Sequence, residues 1–290
     1  MKPKIIWLAN ISCNGNAHSF LNYPHIETLL ESFEFLYHPI IDTDYTLQEV
    51  VNGDLPCDIL MLEGAISPTY KKADELVANI INKYAKKAKK IVTIGTCATY
   101  GGIFGEYAED ITGLHFNKEQ ALSDFAVFKK KTISVSGCPI HPNTLAGTLY
   151  NIKKSLSLPL DEYLRPKEYF TTMIHNGCTR NEYFEYKIDN YEFGSKQGCL
   201  FYDHGCQAPY THGSCNKVLW NEVNSKTRSG APCMGCTEPT FPKRNLFATK
   251  KNMGIPETLP LDVSKRAYLT LAGVAKAFKV PRLERTLDDD

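Results

Sequence analysis

The sequence predicts an α/β protein in which a doubly wound parallel sheet forms a large N-terminal domain and a smaller, irregular domain follows. Two observations indicate this class. Short apolar runs alternate with helical patterns through residues 1–155, as expected for buried strands joined by helices. After Leu160 the alternation fades, and aromatic, glycine and proline residues become frequent among the cysteines. We therefore predict one domain over residues 1–160 and a second over residues 161–290.

Five apolar runs are predicted strands, because a strand covered by helices on both faces of its sheet is apolar throughout. They are Ile5–Ala9, Phe33–Ile40, Cys57–Leu62, Lys90–Ile94 and Thr132–Val135. Helices are predicted where apolar residues recur with helical spacing or where a proline suits a first turn. They are Pro24–Phe33, Lys71–Lys87, Asn143–Leu156 and Val263–Phe278, and a polar loop is predicted after the first strand.

Composition argues against several classes of function. The 290 residues carry a net charge of +1, which gives no basis for nucleic-acid binding. No stretch approaches the roughly 18 apolar residues of a membrane-spanning helix. The N-terminus lacks the pattern of a secretory signal. If residue 1 is the natural start, we expect a cytoplasmic protein, where clustered cysteines are more often metal ligands than disulfides.

Nine of the ten cysteines fall into three groups of three. The groups are Cys13, Cys97 and Cys138; Cys178, Cys199 and Cys206; and Cys215, Cys233 and Cys236. Cys57 is left over and is most simply a buried core thiol. Few proteins need this much thiolate, so the grouping indicates metal or redox chemistry and suggests a series of three iron–sulfur clusters.

The first group is predicted to meet at one edge of the sheet. Cys13, Cys97 and Cys138 each follow a predicted strand, and so does Glu63. In open α/β sheets, ligands bind beyond the carboxyl ends of the strands. Ordinary buried thiols in strand–helix turns are the alternative explanation. Glu63 itself is either a group that contacts a partner or moves protons, or a hydrogen-bonded structural carboxylate.

The other two groups differ in their number of donors. His175 precedes Cys178 by three residues, so this group offers three thiolates and one imidazole, a set that suits a [4Fe–4S] cluster or a zinc ion. The last group has no obvious fourth ligand. Zinc needs four ligands in a closed site, whereas a [3Fe–4S] cluster needs three thiolates. A zinc-stapled binding protein remains the alternative to iron–sulfur chemistry.

These motifs resemble the small, electron-transferring subunit of nickel–iron hydrogenases. The matching strings are EGAI at Glu63, GTCATYGG around Cys97, SGCPIHP around Cys138, HNGC at His175, GCLFYDHGCQAP around Cys199 and Cys206, and SCNKVLWN and APCMGCTEP around the last three cysteines. The resemblance covers about residues 4–242.

The resemblance implies a flavodoxin-like N-terminal domain, a cluster-binding C-terminal domain and three ligand sets. Cys13, Cys97 and Cys138 would bind the proximal cluster, Cys215, Cys233 and Cys236 a medial [3Fe–4S] cluster, and His175, Cys178, Cys199 and Cys206 a distal [4Fe–4S] cluster. Hydrogen chemistry would occur on the nickel–iron site of a large subunit. This chain would then relay electrons to an unidentified acceptor, with no catalytic residue of its own. Whether such heterodimers form a higher oligomer is left open.

Asn16 departs from the family pattern. The family has C-x-x-C where this chain has Cys13 followed by Asn16, and an amide oxygen is a poor ligand for iron–sulfur centres. Either three cysteines hold a [3Fe–4S] cluster, or a [4Fe–4S] cluster has one iron bound by the Asn16 oxygen, water or another residue. Gly15 and Gly102 match the extra cysteines of an oxygen-tolerant subgroup, so no six-cysteine cluster is expected.

Two roles fit the resemblance. The leading hypothesis is a subunit of an enzyme that oxidises or evolves H2. The alternative is a regulatory hydrogen sensor, which uses the same pair of subunits and turns over slowly.

Overall fold

The computed structural model describes residues 2–190, 192–243, 245–246 and 263–278. The chain forms two compact units. One contains the described residues of 1–170 and 236–242, and the other contains the described residues of 171–235 and 243–290. The segment 236–242 therefore belongs to the first unit although it follows most of the second in sequence. The domain boundary after residue 160 stays a prediction.

The first unit contains a parallel sheet of five strands. They are β1 (Lys4–Ala9), β2 (Glu34–Tyr37), β3 (Ile59–Glu63), β4 (Lys90–Ile94) and β5 (Thr132–Val135). Their order is β2-β1-β3-β4-β5, and every neighbouring pair is parallel. This is the flavodoxin-like order, with its switch point between β1 and β3. The predicted fold class is confirmed.

Helices cover both faces of this sheet. They are α1 (Gly15–Leu21), α2 (Ile26–Ser32), α3 (Leu47–Asn52), α4 (Val77–Lys87), α5 (Gly95–Tyr100), α6 (Pro142–Lys153) and the short α7 (Lys167–Phe170). Successive side chains of a strand point to opposite faces, so β1 contributes to two apolar clusters. Ile6 packs in the cluster that contains α4, and Trp7 in the one that contains α1 and α6. Cys57 is buried in the first cluster, as predicted.

The helix predicted over Lys71–Lys87 was wrong at its start. Lys71–Lys72 pairs with Glu75–Leu76 as a small antiparallel ladder, and the helix begins only at Val77. Ala73 and Asp74 make the turn with φ of 46° and 65°. These left-handed angles interrupt a right-handed helix, although the apolar stripe runs through the turn.

The described residues of the second unit form little regular structure. Its helices are α8 (Asn181–Tyr186), α9 (Phe201–His204) and α10 (Lys265–Ala277), and short 3-10 turns cover Ile174–Gly177 and Ala208–Tyr210. A small apolar cluster includes Ile174, Phe184, Phe201 and three buried cysteines. The irregular second domain and the last helix are therefore confirmed. No helix in the described ranges combines the length and the apolar character needed to cross a bilayer.

Candidate iron–sulfur centres

The loops that carry the first cysteine group lie at the carboxyl edge of the sheet. Cys13 follows β1, Cys97 lies in the first turn of α5 directly after β4, and Cys138 follows β5. Two hydrogen bonds join the last two loops: Thr96 N donates to Gly137 O over 2.9 Å, and Gly137 N donates to Thr96 Oγ1 over 3.0 Å. The loops of Cys97 and Cys138 thus meet in the first unit, as predicted.

Asn16 ties the Cys13 loop to the other elements. Its side-chain nitrogen donates to Glu63 Oε1 over 3.3 Å, and its side-chain oxygen accepts the backbone N–H of Ile140 over 3.0 Å. Because a carboxylate only accepts and an N–H only donates, these partners fix which end of the amide is oxygen. The side-chain oxygen of Asn16, a possible iron ligand by sequence, thus accepts a hydrogen bond from the loop after Cys138.

The buried carboxylate of Glu63, at the end of β3, accepts four hydrogen bonds. Besides the Asn16 side chain, it accepts from Trp7 Nε1 over 3.1 Å, Ser12 Oγ over 2.9 Å and the backbone N–H of Asn16 over 3.2 Å. Its exposure is 0%. A buried carboxylate surrounded by donors is stabilised by them and orients them. This geometry favours the structural interpretation of Glu63.

Two glycines lie directly against candidate ligand sulfurs. A Cβ on Gly102 would stand 2.7 Å from Cys97 Sγ, and the φ of Gly102 is 53°. A Cβ on Gly15 would stand 3.2 Å from Cys13 Sγ. Glycine is needed at Gly102 because any side chain would overlap the sulfur and strain the backbone. A side chain at Gly102 would therefore displace the Cys97 sulfur from its present position.

The Cys97 thiol has polar groups aimed at its sulfur. Burial raises the pKa of Cys97, and backbone N–H groups of Ile103 and Phe104 oppose that rise. The nearby Cys13 thiol raises the pKa further, so the two sulfurs lie close enough to interact. Such N–H groups stabilise a thiolate once a metal has displaced the proton.

All four members of the second group share one cavity in the second unit. His175, Cys178, Cys199 and Cys206 line it. Burial lowers the pKa of His175 to about 4, so the imidazole is neutral near pH 7, which is the form that binds metals. The sequence prediction that these four residues act together therefore has a geometric basis.

The three thiols of this cavity are also equipped for metal binding. Burial raises the pKa of Cys199 to about 12 and of Cys206 to about 11, so both are protonated without a metal. Backbone N–H groups donate to the sulfurs: Phe201 to Cys199 over 3.4 Å, Cys233 to Cys206 over 3.3 Å and Arg180 to Cys178 over 3.4 Å. Metal binding would release the thiol protons, and the N–H groups would raise a cluster's potential.

Arg180 is a cavity residue that sequence reasoning missed. Its buried guanidinium donates to the backbone carbonyls of Thr227, Gln197 and Gly198, each over 2.7 Å, and to that of Ser195. It therefore holds the loop that leads into Cys199. Its partners lie 15 to 47 residues away in the sequence, so no local pattern indicated this role.

Two family models match the chain. The model that describes the C-terminal part of the NiFe/NiFeSe hydrogenase small subunit matches residues 170–248. The model described as NADH ubiquinone oxidoreductase, 20 Kd subunit, matches residues 13–152. The periplasmic [NiFe] hydrogenase small subunit of Solidesulfovibrio fructosivorans is 30% identical over 83% of this chain and 79% of its own length. Its counterpart, small subunit 1 of Nitratidesulfovibrio vulgaris, is 32% identical over 83% and 80%.

The chain belongs to the nickel–iron hydrogenase small subunits. Its function is therefore electron transfer in an oxidoreductase that acts on hydrogen, its cofactors are three iron–sulfur clusters, and its partner is the large subunit. The hypotheses of family, activity, cofactor type and partner are confirmed.

Solved structures agree with this assignment of the small subunit. The [NiFeSe] hydrogenase of Dm. baculatum matches with a TM-score of 0.71 and 27% identity over 86% of this chain and 100% of that one. An actinobacterial-type NiFe-hydrogenase from Ralstonia eutropha H16 matches with a TM-score of 0.74 over 100% and 92%. Since its identity is 23%, that second match supports the fold alone.

The donor arrangement of this small subunit also bears on the zinc alternative. Among the described residues, no three His, Cys, Asp or Glu side chains converge as the ligands of one metal ion. A zinc ion needs its donors about 2.0–2.3 Å away. In an iron–sulfur cluster each thiolate binds a different iron, so the sulfurs stand farther apart. The assignment of ligands to each of the three clusters, that of Cys215, Cys233 and Cys236 included, stays a sequence prediction.

Proposed function

We propose that this small subunit relays electrons between the large subunit and an acceptor through clusters held by the three ligand sets. The proximal set is Cys13, Cys97 and Cys138; the medial set is Cys215, Cys233 and Cys236; the distal set is His175, Cys178, Cys199 and Cys206. The observation that carries this proposal is the single cavity lined by the four distal residues. Iron–sulfur clusters bound at these sets would supply one-electron oxidation and reduction.

The residues of the chain would then set how readily each centre accepts an electron. Three backbone N–H groups point at the sulfurs of the distal set, and the imidazole of His175 replaces a thiolate there. Both features raise a cluster's potential because they reduce or stabilise its negative charge. Phe184 and Phe201 line the same cavity and exclude water from it.

We further infer that the proximal cluster has only three ligands from this chain. The Asn16 oxygen accepts a hydrogen bond from Ile140, and its nitrogen faces Glu63, so turning the amide toward a metal would break both bonds. This supports the three-cysteine [3Fe–4S] hypothesis over an iron bound by Asn16. Electron paramagnetic resonance with a crystallographic iron count of the anaerobic heterodimer tests it. Four irons at full occupancy would contradict the three-iron cluster.

The ligand sets are tested by removing one thiol at a time. In anaerobically purified heterodimer, Cys199→Ala should abolish the distal signal and leave the other two clusters in place. Cys57→Ala is the matched control, because Cys57 is an equally buried thiol in the apolar core of the first unit. Full iron content in Cys199→Ala, or a colourless native protein that contains zinc, would overturn the assignment.

We also propose that the heterodimer is an enzyme with rapid turnover, as opposed to a sensor, and that it lies in the cytoplasm. Membership of the family decides neither point. Several relatives are named periplasmic, so location needs its own measurement. Cell fractionation with antibodies to this chain tests it, and recovery with periplasmic markers would contradict the proposal. Rapid H2-dependent dye reduction by the heterodimer distinguishes an enzyme from a slow regulatory sensor.

A further inference from the structure

Residues beside two proximal ligands donate hydrogen bonds to the segment that begins with Cys236. Thr96, which precedes Cys97, donates its hydroxyl to the backbone carbonyl of Cys236. Ser136, two residues before Cys138, donates to the carbonyl of Thr237 over 2.9 Å. All of these residues belong to the first unit. A candidate medial ligand is thus fastened directly to two proximal ligand loops.

The Thr96 hydroxyl stands where the three ligand-bearing segments meet. It accepts the backbone N–H of Gly137 over 3.0 Å while donating to the Cys236 carbonyl. A hydroxyl has a single hydrogen, and here the N–H of Gly137 fills an acceptor position and leaves that hydrogen for Cys236. Thr96 is 1% exposed, so water cannot replace these partners.

A buried arginine holds the same segment from another direction. Arg165 Nη1 donates to the Thr237 carbonyl over 2.9 Å and lies 3.4 Å from Glu238 Oε1. Its Nε donates to Asp161 Oδ2 over 2.7 Å. The Thr237 carbonyl therefore accepts from both Ser136 and Arg165, which leaves the peptide after Cys236 little freedom to move.

We propose that Thr96 is a positioning residue that couples the proximal and medial centres. Its hydroxyl holds the Cys236 peptide against the loops of Cys97 and Cys138 and links the two ligand sets by one hydrogen bond. The positive end of the O–H dipole also points at the Cys236 peptide. It therefore stabilises the reduced form of the cluster that Cys236 binds. The proposal rests on the assignment of Cys236 to the medial cluster.

The test replaces Thr96 with valine, which has the same shape without the hydroxyl, and with serine, which keeps it. In the anaerobic heterodimer we expect Thr96→Val to retain full iron content but to lower the medial midpoint potential and alter the magnetic interaction between the proximal and medial clusters. H2-dependent dye reduction should fall several-fold, while hydrogen–deuterium exchange, which needs only the large-subunit site, should persist. Thr96→Ser should restore all three properties.

Two further variants keep the test decisive. Thr93→Val is the matched control, because the hydroxyl of buried Thr93 donates to Ser134 Oγ over 3.0 Å, within the sheet, and its loss should change neither potential nor interaction. Ser136→Ala removes the bond to Thr237 without touching Thr96 and should shift the medial potential in the same direction, even if Thr96→Val fails to assemble. The proposal would be overturned if Thr96→Val had the native medial potential and the native magnetic interaction. If Thr96→Val fails to assemble, the same result in Ser136→Ala would overturn it. Full iron content in Cys236→Ala would instead refute the medial assignment.

Discussion

At the scale of single residues, Asn16 illustrates how a lost ligand can be replaced by a structural role. The side chain bonds to Glu63 and Ile140, which lie 47 and 124 positions away in the sequence. It also rests on Gly95, where an added Cβ would come within 2.4 Å of the amide nitrogen. Hydrogen bonds thus connect loops that a cysteine would have connected through iron.

The first prediction concerns Asn16→Ala. The change removes one of several hydrogen bonds to the Glu63 carboxylate and leaves the buried N–H of Ile140 without its side-chain acceptor, and an unsatisfied buried group costs about 1–3 kcal/mol. We expect a lower unfolding temperature and native iron content at the proximal site, measured by circular dichroism and elemental analysis. Asn22→Ala is the control, because the Asn22 amide makes one exposed bond, to His18 O. Iron loss confined to the proximal site would show that Asn16 is a ligand.

The second prediction concerns Asn16→Asp. A carboxylate at this position would face Glu63, and two buried carboxylates repel each other. If Asn16 is structural, the aspartate variant should be less stable than the alanine variant. If Asn16 binds iron, aspartate should be the better oxygen ligand and should increase iron retention. Comparing unfolding temperature and iron content of the two variants separates these outcomes.

At the scale of elements, strands were predicted better than helices. The bounds of β4 and β5 agree with the prediction, because both strands are buried over nearly their whole length and are rich in β-branched residues. The short helices α1 and α5 were missed. Each begins with glycine, has at most seven residues and depends on tertiary packing for stability. Their sequences therefore carry too little periodicity to predict a helix.

Lys83, near the C-terminal end of α4, has a structural role at a neighbouring helix. Lys83 Nζ donates to the carbonyls of Val50, Val51 and Gly53 over 2.9, 2.6 and 2.9 Å. These carbonyls lie at the C-terminal end of α3, where backbone acceptors lack partners within the helix. A cation there also interacts favourably with the helix dipole. A lysine near the end of α4 therefore caps α3.

The third prediction follows from this cap. Lys83→Met keeps the length of the side chain but removes the donor, so we expect a loss of about 1–2 kcal/mol of stability. The measurement is the unfolding temperature at a fixed scan rate. Lys86→Met is the control, because Lys86 is exposed on the same helix. Equal effects of the two substitutions would contradict the capping role.

At the scale of the whole molecule, the cluster sites were far more predictable than their surroundings. Cysteine spacing and a family resemblance are enough to indicate His175 and nine cysteines as ligands. Arg180 and Thr96 could not be identified in this way. Their roles depend on backbone carbonyls that lie 15 to 140 residues away, and no local pattern encodes such contacts.

The fourth prediction concerns acid stability. Burial lowers the pKa of His38 and of His115 to about 4, against about 6.5 in an unfolded chain. Above pH 6.5 the two histidines are neutral in both the folded and the unfolded chain, so they do not make stability depend on pH. Below it the unfolded state binds protons that the folded state refuses, so stability falls from about pH 6.5 to about 4, by at most about 3 kcal/mol per histidine.

The test compares unfolding temperatures at pH 7 and pH 5.5. His115→Gln removes the titration but can keep a bond to Thr132, whose hydroxyl lies 2.8 Å from His115 Nε2. This variant should lose less stability on acidification than the native protein. His25→Gln is the control, because His25 is exposed. An unchanged pH dependence in His115→Gln would refute the prediction.

Because residues 236–242 belong to the first unit, that unit can be completed only after most of the second unit has been synthesised. Cys236 is synthesised 66 residues after Phe170, which takes about 3–13 s at about 5–20 residues per second. Throughout that interval Thr96, Ser136 and Arg165 lack the carbonyls that they later bind. The edge of the sheet that carries the proximal cysteines is thus completed last, although its strands are made first. A nascent chain therefore lacks these three hydrogen bonds until Cys236 and Thr237 have been made.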